Sequence, residues 1–245
     1  MWVAGVDGCP AGWIAVLMRR DDPLVHHVRV VPRFTDIVDG TEQPAFLAVD
    51  MPIGLPDHTE GSGLLPEKLV RSLLGARQSS VFAIPSRAAV HAQSYEDACA
   101  LAASTSDPPR KVSRQGFNIF PKIVELDALL RRRPELAPRL YEVHPEVAFW
   151  SLNGESPLAE PKKVKSRPYE PGLALRRDLL RRAGLPAALI DARPPRGAAA
   201  DDLLDALAGL TVALDIATGG GRSFPEPPGR DAHGLPVAIW TLRRR

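Results

Sequence analysis

Two apolar stretches of the chain stop at an aspartate: Val3-Ala4-Gly5-Val6-Asp7 and Phe46-Leu47-Ala48-Val49-Asp50. In an open α/β sheet, ligands collect at the carboxyl ends of the strands, so two such aspartates on neighbouring strands would face one cleft. Turn chemistry is the competing account, since Asp7 precedes Gly8 and Asp50 precedes Met51-Pro52. It explains each position but not their resemblance. A third acidic group lies in Asp201-Asp202-Leu203-Leu204-Asp205-Ala206-Leu207-Ala208. Asp201 or Asp202 near a helix start suits a cap or a dipole partner. Asp205 falls one turn in, on a helix apolar nearly all round, where an unpaired carboxylate would cost roughly several kcal/mol. A cation or a paired partner removes that cost. Residues three apart on a helix return to nearly the same face, so Asp202 and Asp205 can point at one centre.

A fourth acidic stretch is Tyr141-Glu142-Val143-His144-Pro145-Glu146. Glu142 and His144 share a strand face by the two-residue period, and Glu146 falls in a first helical turn, where a carboxylate also suits the macrodipole. Glu142 ends an apolar strand and is the better ligand candidate; His144 could equally cap a helix or pack in the core. Oxygen ligands without a Cys/His set point to Mg²⁺ or Mn²⁺ rather than zinc. Two such ions about 4 Å apart would activate a water and stabilise the leaving oxygen of a phosphodiester. Clustered carboxylates repel one another without metal, so metal should raise thermal stability. Around this centre Arg77, Ser79, Ser80, Arg87, Lys122 and the pair Lys162-Lys163 could bind phosphate oxygens. They could also cap helices and pair with carboxylates. Phe117-Asn118-Ile119-Phe120 reads as core packing more readily than as a platform for a base.

The elements that must position these groups follow from periodicity. Residues 2–6, 12–18 and 25–31 read as strands, and the turn formers at 7–12 make the first two an antiparallel hairpin. A short helical piece at 35–38 precedes a fourth strand at 45–49. Apolar runs without alternation suit a sheet covered on both faces. The helical period then sets in, predicting helices at 66–75, 87–104 and 121–133, the last begun by Pro121. A fifth strand at 140–143 leads into a helix opened by Pro145 and stopped before Gly154. Further helices cover about 172–183 and 201–217, and after a Pro-rich connection 236–242 is a final strand.

The totals set limits. A chain of 245 residues with 44% hydrophobic and 24% charged residues is long enough for one full core, so a single domain over 1–245 is expected, with helical insertions at about 55–139 and 145–200. A formal charge of +2 excludes a whole-molecule basic field. Arginine runs at 131–133, 176–182 and 243–245 are expected to be solvated faces or a tail. Cys9 and Cys99 are far apart, which argues against a disulfide framework or structural zinc. The start of the chain lacks a charged region before its apolar run, and no stretch approaches the roughly 20 apolar residues that span a bilayer. A cytoplasmic protein without membrane association is expected.

Taken together, Gly5-Val6-Asp7-Gly8-Cys9-Pro10-Ala11-Gly12-Trp13, Val49-Asp50-Met51-Pro52-Ile53-Gly54, Arg77-Gln78-Ser79-Ser80-Val81-Phe82, Phe117-Asn118-Ile119-Phe120-Pro121-Lys122, Glu142-Val143-His144-Pro145-Glu146 and Asp201-Asp202-Leu203-Leu204-Asp205 resemble domain-of-unknown-function family 429, whose members are labelled predicted RNase H-like nucleases. The resemblance runs over almost the whole chain. It implies an RNase H-like α/β fold, a mixed sheet flanked by helices, with acidic residues of the first strand, the fourth strand and the final helix holding metal. By matching motif these are Asp7, Asp50, and Asp202 with Asp205. Enzymes of that superfamily commonly carry glutamate where Asp50 stands, so Glu142 could supply what the shorter arm does not reach. A metal-dependent nuclease or phosphodiesterase is implied, acting on nucleic acid or a small phosphoester, with Glu142 or His144 as proton carrier. Two rivals stand beside it: an ATP-binding phosphotransferase of the related actin-like fold, using Gly219-Gly220-Gly221 as a phosphate loop, and a catalytically silent binding protein.

Overall fold

In the computed structural model, which describes residues 1–243, the N-terminal third is a meander of three antiparallel strands, β1 (Trp2–Cys9), β2 (Gly12–Arg19) and β3 (Asp22–Val31). The β1–β2 turn is tight, with Cys9 paired to Gly12, as the turn formers predicted. Helix α1 (Thr35–Val38) leads to β4 (Phe46–Val49), which adds parallel to β1. A small pair, β5 (Thr59–Glu60) with β6 (Ser106–Asp107), encloses α2 (Leu65–Arg71), a 3₁₀ turn (Gly75–Ser80), α3 (Arg87–Val90) and α4 (Tyr95–Ser104). Helix α5 (Arg114–Arg132) and a second 3₁₀ turn (Pro134–Arg139) lead to β7 (Leu140–Glu142), parallel to β4. The main sheet therefore runs β3-β2-β1-β4-β7. Helix α6 (Pro145–Leu152), the small hairpin β8 (Lys163–Val164) and β9 (Arg167–Pro168), α7 (Glu170–Arg182), α8 (Ala187–Ile190) and α9 (Ala200–Ile216) follow, and β10 (Arg222–Arg230) with β11 (Pro236–Thr241) closes the chain. A mixed five-stranded sheet with helices on both faces is consistent with the RNase H-like arrangement.

The strand period decides which side chain meets which helix. In β1, Ala4 and Val6 enter the core that holds Phe120, Ile123 and Leu126 of α5. Val3 and Cys9 enter the opposite core, with Leu203, Ala206 and Leu210 of α9. In β4, Leu47 and Val49 face α5, and Ala48 faces α9. Gly5 and Gly209 let α9 settle directly on the sheet. A Cβ on Gly5 would stand 2.0 Å from the carbonyl oxygen of Ala206.

Several sequence expectations shift. The predicted helix at 87–104 is two helices, the second started by Ser94, whose hydroxyl accepts from the Asp97 amide at 3.0 Å. The helix expected to begin at Pro121 begins at Arg114, capped by Ser113, and Pro121 lies inside it. The apolar face at Gly116, Phe120, Ile123 and Leu126 is continuous through that point and outweighs one missing backbone hydrogen bond on an exposed side. Helix α2 is shorter than 66–75 and passes into a 3₁₀ turn. The Pro-rich connection before the last strand is itself β10: its pairing with β11 shifts register between Phe224 and Gly229, and Pro225, Pro227 and Pro228 sit in that gap, where no ladder N–H is required. Arg176, expected on a solvated face, is 0% exposed. Arg177, Arg181 and Arg182 pair with Glu170, Asp191 and Asp178. Arg244 and Arg245 of the expected tail run lie outside the described residues. Both cysteines are buried and free, and among the described residues no helix is long and apolar enough to cross a membrane.

Candidate functional site

Asp7 has the parity of Val3, Gly5 and Cys9, and Asp50, just past β4, has the parity of Ala48. Both therefore turn toward α9. The close seating of α9 over Gly5, through Ala206, brings the neighbouring Asp205 onto the same spot. Carboxylate oxygens of Asp7, Asp50 and Asp205 all lie within 4.8 Å of one another, a grouping that could hold a metal ion. Asp7 is 7% and Asp205 2% exposed. Asp7 Oδ1 accepts from the Gly8 amide at 2.6 Å. One oxygen of Asp205 is held by Lys162 Nζ, and the other, Oδ1, is buried without a hydrogen-bond partner.

Burial first, and then repulsion from neighbouring carboxylates, raises the pKa of all three acids. Asp7 is raised well above the ordinary aspartate range, first by desolvation and then by Asp50 and Asp205. Desolvation followed by the Asp205 charge takes Asp50 up to about 8. Asp205 is raised by desolvation despite the opposing pull of Lys162. Lys162 in turn is held protonated by Asp205, Asp7 and Asp50, which outweigh its own desolvation.

The other expected ligands do not join this group. Glu142 pairs in register with Val49, so its side chain takes the α5 side of the sheet. There its Oε2 accepts from the Ile53 amide at 2.9 Å, and desolvation raises its pKa well above the usual range. Asp202 turns back to accept from the Ala199 amide at 2.8 Å, closing the first turn of α9, and its neighbour Asp201 pairs with Lys163 at 2.6 Å. His144 donates from Nε2 to the Ser80 carbonyl at 3.2 Å, which leaves Nδ1 as the lone-pair nitrogen, without a partner. Burial lowers its pKa, so it stands neutral.

A cavity of about 310 Å³ opens beside Asp7 and Asp50, lined by these two and Glu142, His144, Glu146, Ser80, Lys122 and Lys162 together with Met51, Phe82, Ile84, Ile119 and Ile239; Asp205 stands behind them, joined to the wall through Lys162. Of the residues expected to bind substrate, Ser80 and Lys122 therefore reach the site. Lys122 Nζ also donates to the Gly12 carbonyl at 2.6 Å, fastening α5 to the β1–β2 turn. Arg77 and Ser79 are not among the lining residues, Ser79 being exposed. Arg87 is tied to Asp127 and Asp231 away from the cavity. Phe117 and Phe120 stack edge-on in the core with Tyr95, leaving only Ile119 of that segment at the cavity.

Two features were under-read from sequence. Lys162, grouped with the phosphate binders, is the ion-pair partner of Asp205. Glu146 is buried, lines the cavity, and is held by one oxygen to the fully buried Arg176 while Oε2 has no partner. Arg176 also donates to the carbonyls of Glu160 at 3.1 Å and Gly172 at 2.9 Å. The signal for that pair was Arg176 itself, one helical turn after Gly172 and at the period of Leu173 and Leu180, within a helix read as a charged face.

No curated protein and no solved structure matches the chain. A family model does, over residues 5–230, a span that includes every residue of the acidic group, the Glu142–Glu146 segment and Lys162, and on that match the chain belongs to the family described as Protein of unknown function (DUF429).

Proposed function

We propose that the protein is a metal-dependent hydrolase of phosphodiesters, its ion held by Asp7, Asp50 and Asp205. The observation that carries this is the packing of three carboxylates from separate segments within 4.8 Å, two of them buried and Asp50 half-buried, around an Asp205 oxygen that has no donor. Such a group is electrostatically costly unless a cation shares it. Lys162 neutralises one charge of three, and an all-oxygen donor set fits a hard ion of the Mg²⁺ or Mn²⁺ kind. When bound, the ion would lower the pKa of a coordinated water and offset charge on the phosphoryl oxygens. The chain's own groups do the rest. Lys162 and Lys122 offer ammonium groups to a phosphate at the cavity wall. The neutral imidazole of His144, oriented by Ser80, presents a free Nδ1 that can accept a proton. Glu142, one oxygen of which is taken by the Ile53 amide, is less suited to that task.

Calorimetric titration of Mn²⁺ into the full chain tests the reading, followed by Mn²⁺-supported cleavage assays on single-stranded, duplex, hybrid and branched nucleic acids and on bis(p-nitrophenyl) phosphate. Binding that is lost in Asp205→Asn, with cleavage of at least one substrate, is expected. Mn²⁺ affinity that is absent, or equal in wild type and variant, refutes it. The phosphotransferase alternative gains nothing from the structure: Gly220 and Gly221 bond to Asp215 at the far end of the 17-residue α9, about 15 Å along its axis from Asp205.

A further inference from the structure

The cavity is not lined by carboxylates alone: apolar side chains make up another part of its wall. Asp50, Glu142 and Glu67 share its lining, and Glu67 accepts from the Ile84 amide at 2.9 Å, which ties the acidic lining to the apolar side chains of Phe82, Ile84 and Ile119. Ile239 adds a further apolar lining residue. Phe82 is the aromatic side chain among the lining residues and is half-buried, leaving part of its surface open.

Size and charge restrict what can occupy this space. A volume of about 310 Å³ sits at the lower end of pockets that enclose a small ligand, roughly 300–1,000 Å³. A duplex, whose major groove alone is about 12 Å wide, does not enter it. Asp7, 7% exposed at the cavity wall, cannot be met by a phosphate still on the outside of a helix, and enzymes facing that problem take one nucleotide out of the stack into a pocket. A strand tracked along its backbone would need a row of cations. Apart from His144, the basic groups lining the cavity are Lys122 and Lys162, both at the acidic end.

We propose that the cavity takes a single nucleoside phosphate unit, with its phosphate at the three aspartates and its base against Phe82 and Ile119. This deepens the hydrolase reading and rests on it. The ligand is one unstacked nucleotide, either free or at an unpaired position of a single strand, and intact duplex is excluded.

The test uses the full chain with Mn²⁺ and three probes: adenosine 5′-monophosphate, inorganic phosphate, and the same short sequence as single strand and as blunt duplex. Removing a base-stacking side chain weakens binding by roughly tenfold. Phe82→Ala is therefore expected to weaken nucleotide binding by about tenfold, and Phe82→Leu, which preserves apolar packing, by several-fold. Affinities for Mn²⁺ and inorganic phosphate should stay within about twofold of wild type, which separates loss of the wall from loss of the fold. A single strand binding more tightly than the mononucleotide, with the same dependence on Phe82, assigns the unit to a strand; equal or weaker binding assigns it to a free nucleotide. The inference is overturned if Phe82→Ala leaves nucleotide affinity unchanged, or if duplex competes with the mononucleotide as well as single strand does. Failure of Mn²⁺ binding is a separate result: it sinks the hydrolase reading, while the nucleotide titrations without metal still judge the wall.

Discussion

Asp50→Asn should make the metal-free protein more stable at alkaline pH, although it removes a group placed at the centre of the site. Asp50 has its pKa raised from 3.8 to about 8, chiefly by desolvation and then by Asp205. The folded state thus holds a proton that the unfolded chain has released at all pH values between these limits. Stability rises with pH only where the unfolded state binds more protons; here the folded state binds more, so this group makes stability fall by about 1.4 kcal/mol per pH unit through that window. Complete below about pH 4, its favourable contribution is gone above pH 8, and the difference across the window is at most about 6 kcal/mol. Relaxation around the ionised group reduces that figure, and asparagine, which never ionises, escapes it. We expect wild type and variant to have nearly equal urea-unfolding free energies at pH 4.5 in EDTA and the variant to lead by about 2 kcal/mol or more at pH 9. Saturating Mn²⁺ at pH 8 should reverse the order, because the ion stabilises only the protein that binds it. A variant that is less stable than wild type at pH 9 in EDTA, or a difference that does not change with pH, would refute the electrostatic account of the cluster.

Three further outcomes follow from named contacts. Arg176→Met alone leaves Glu146 buried and uncompensated and should cost about 3–5 kcal/mol in chemical denaturation, whereas Arg176→Met with Glu146→Gln should recover more than half of that; additive costs would count against a paired core. Lys162→Met should destabilise the metal-free chain by about 2 kcal/mol at pH 7 and yet tighten Mn²⁺ binding by about tenfold, since a competing ammonium leaves Asp205; weaker Mn²⁺ binding in calorimetry would make Lys162 a support of the ion and not its competitor. Gly5→Ala should cost about 3 kcal/mol or more in thermal or urea unfolding, because its methyl group would overlap the Ala206 carbonyl and the Leu210 amide at 2.0 and 2.2 Å; a near-neutral variant would show that α9 can lift from the sheet.

What the sequence disclosed about the site, and what it withheld, divides along a physical line. Asp7 and Asp50 were legible because each interrupts an apolar strand, and Asp205 because a carboxylate inside an apolar helix needs an explanation. Those are local contradictions, visible without any partner. Glu142 carried the same strand-end signature and lines the same cavity, but it stands outside the three-aspartate group, since its side is set by the register of β7 on β4, with Val49 opposite Glu142, and register is a property of the assembled sheet. Asp202 was assigned by helix spacing, but an unsatisfied amide at Ala199 claimed it first. The Pro121 boundary failed because a cap at Ser113 and a continuous apolar face count for more than one proline.

Lys162 is the hardest case and the most informative. It comes from a segment between α6 and the β8–β9 hairpin, 43 residues before Asp205 in the chain, with no periodicity to announce its direction. Its position answers a question the aspartates raise, namely how acids so close and so dry come together while the chain folds. An ammonium supplied by the chain cancels one charge, the raised pKa values of Asp7 and Asp50 let protons cancel more, and the cluster closes with little net charge. The cost of gathering the carboxylates is thus reduced within the fold but not removed, and the unpartnered oxygen of Asp205 is left open. On the proposed reading, a metal ion would enter such a site by displacing those protons and the Lys162 ammonium from Asp205.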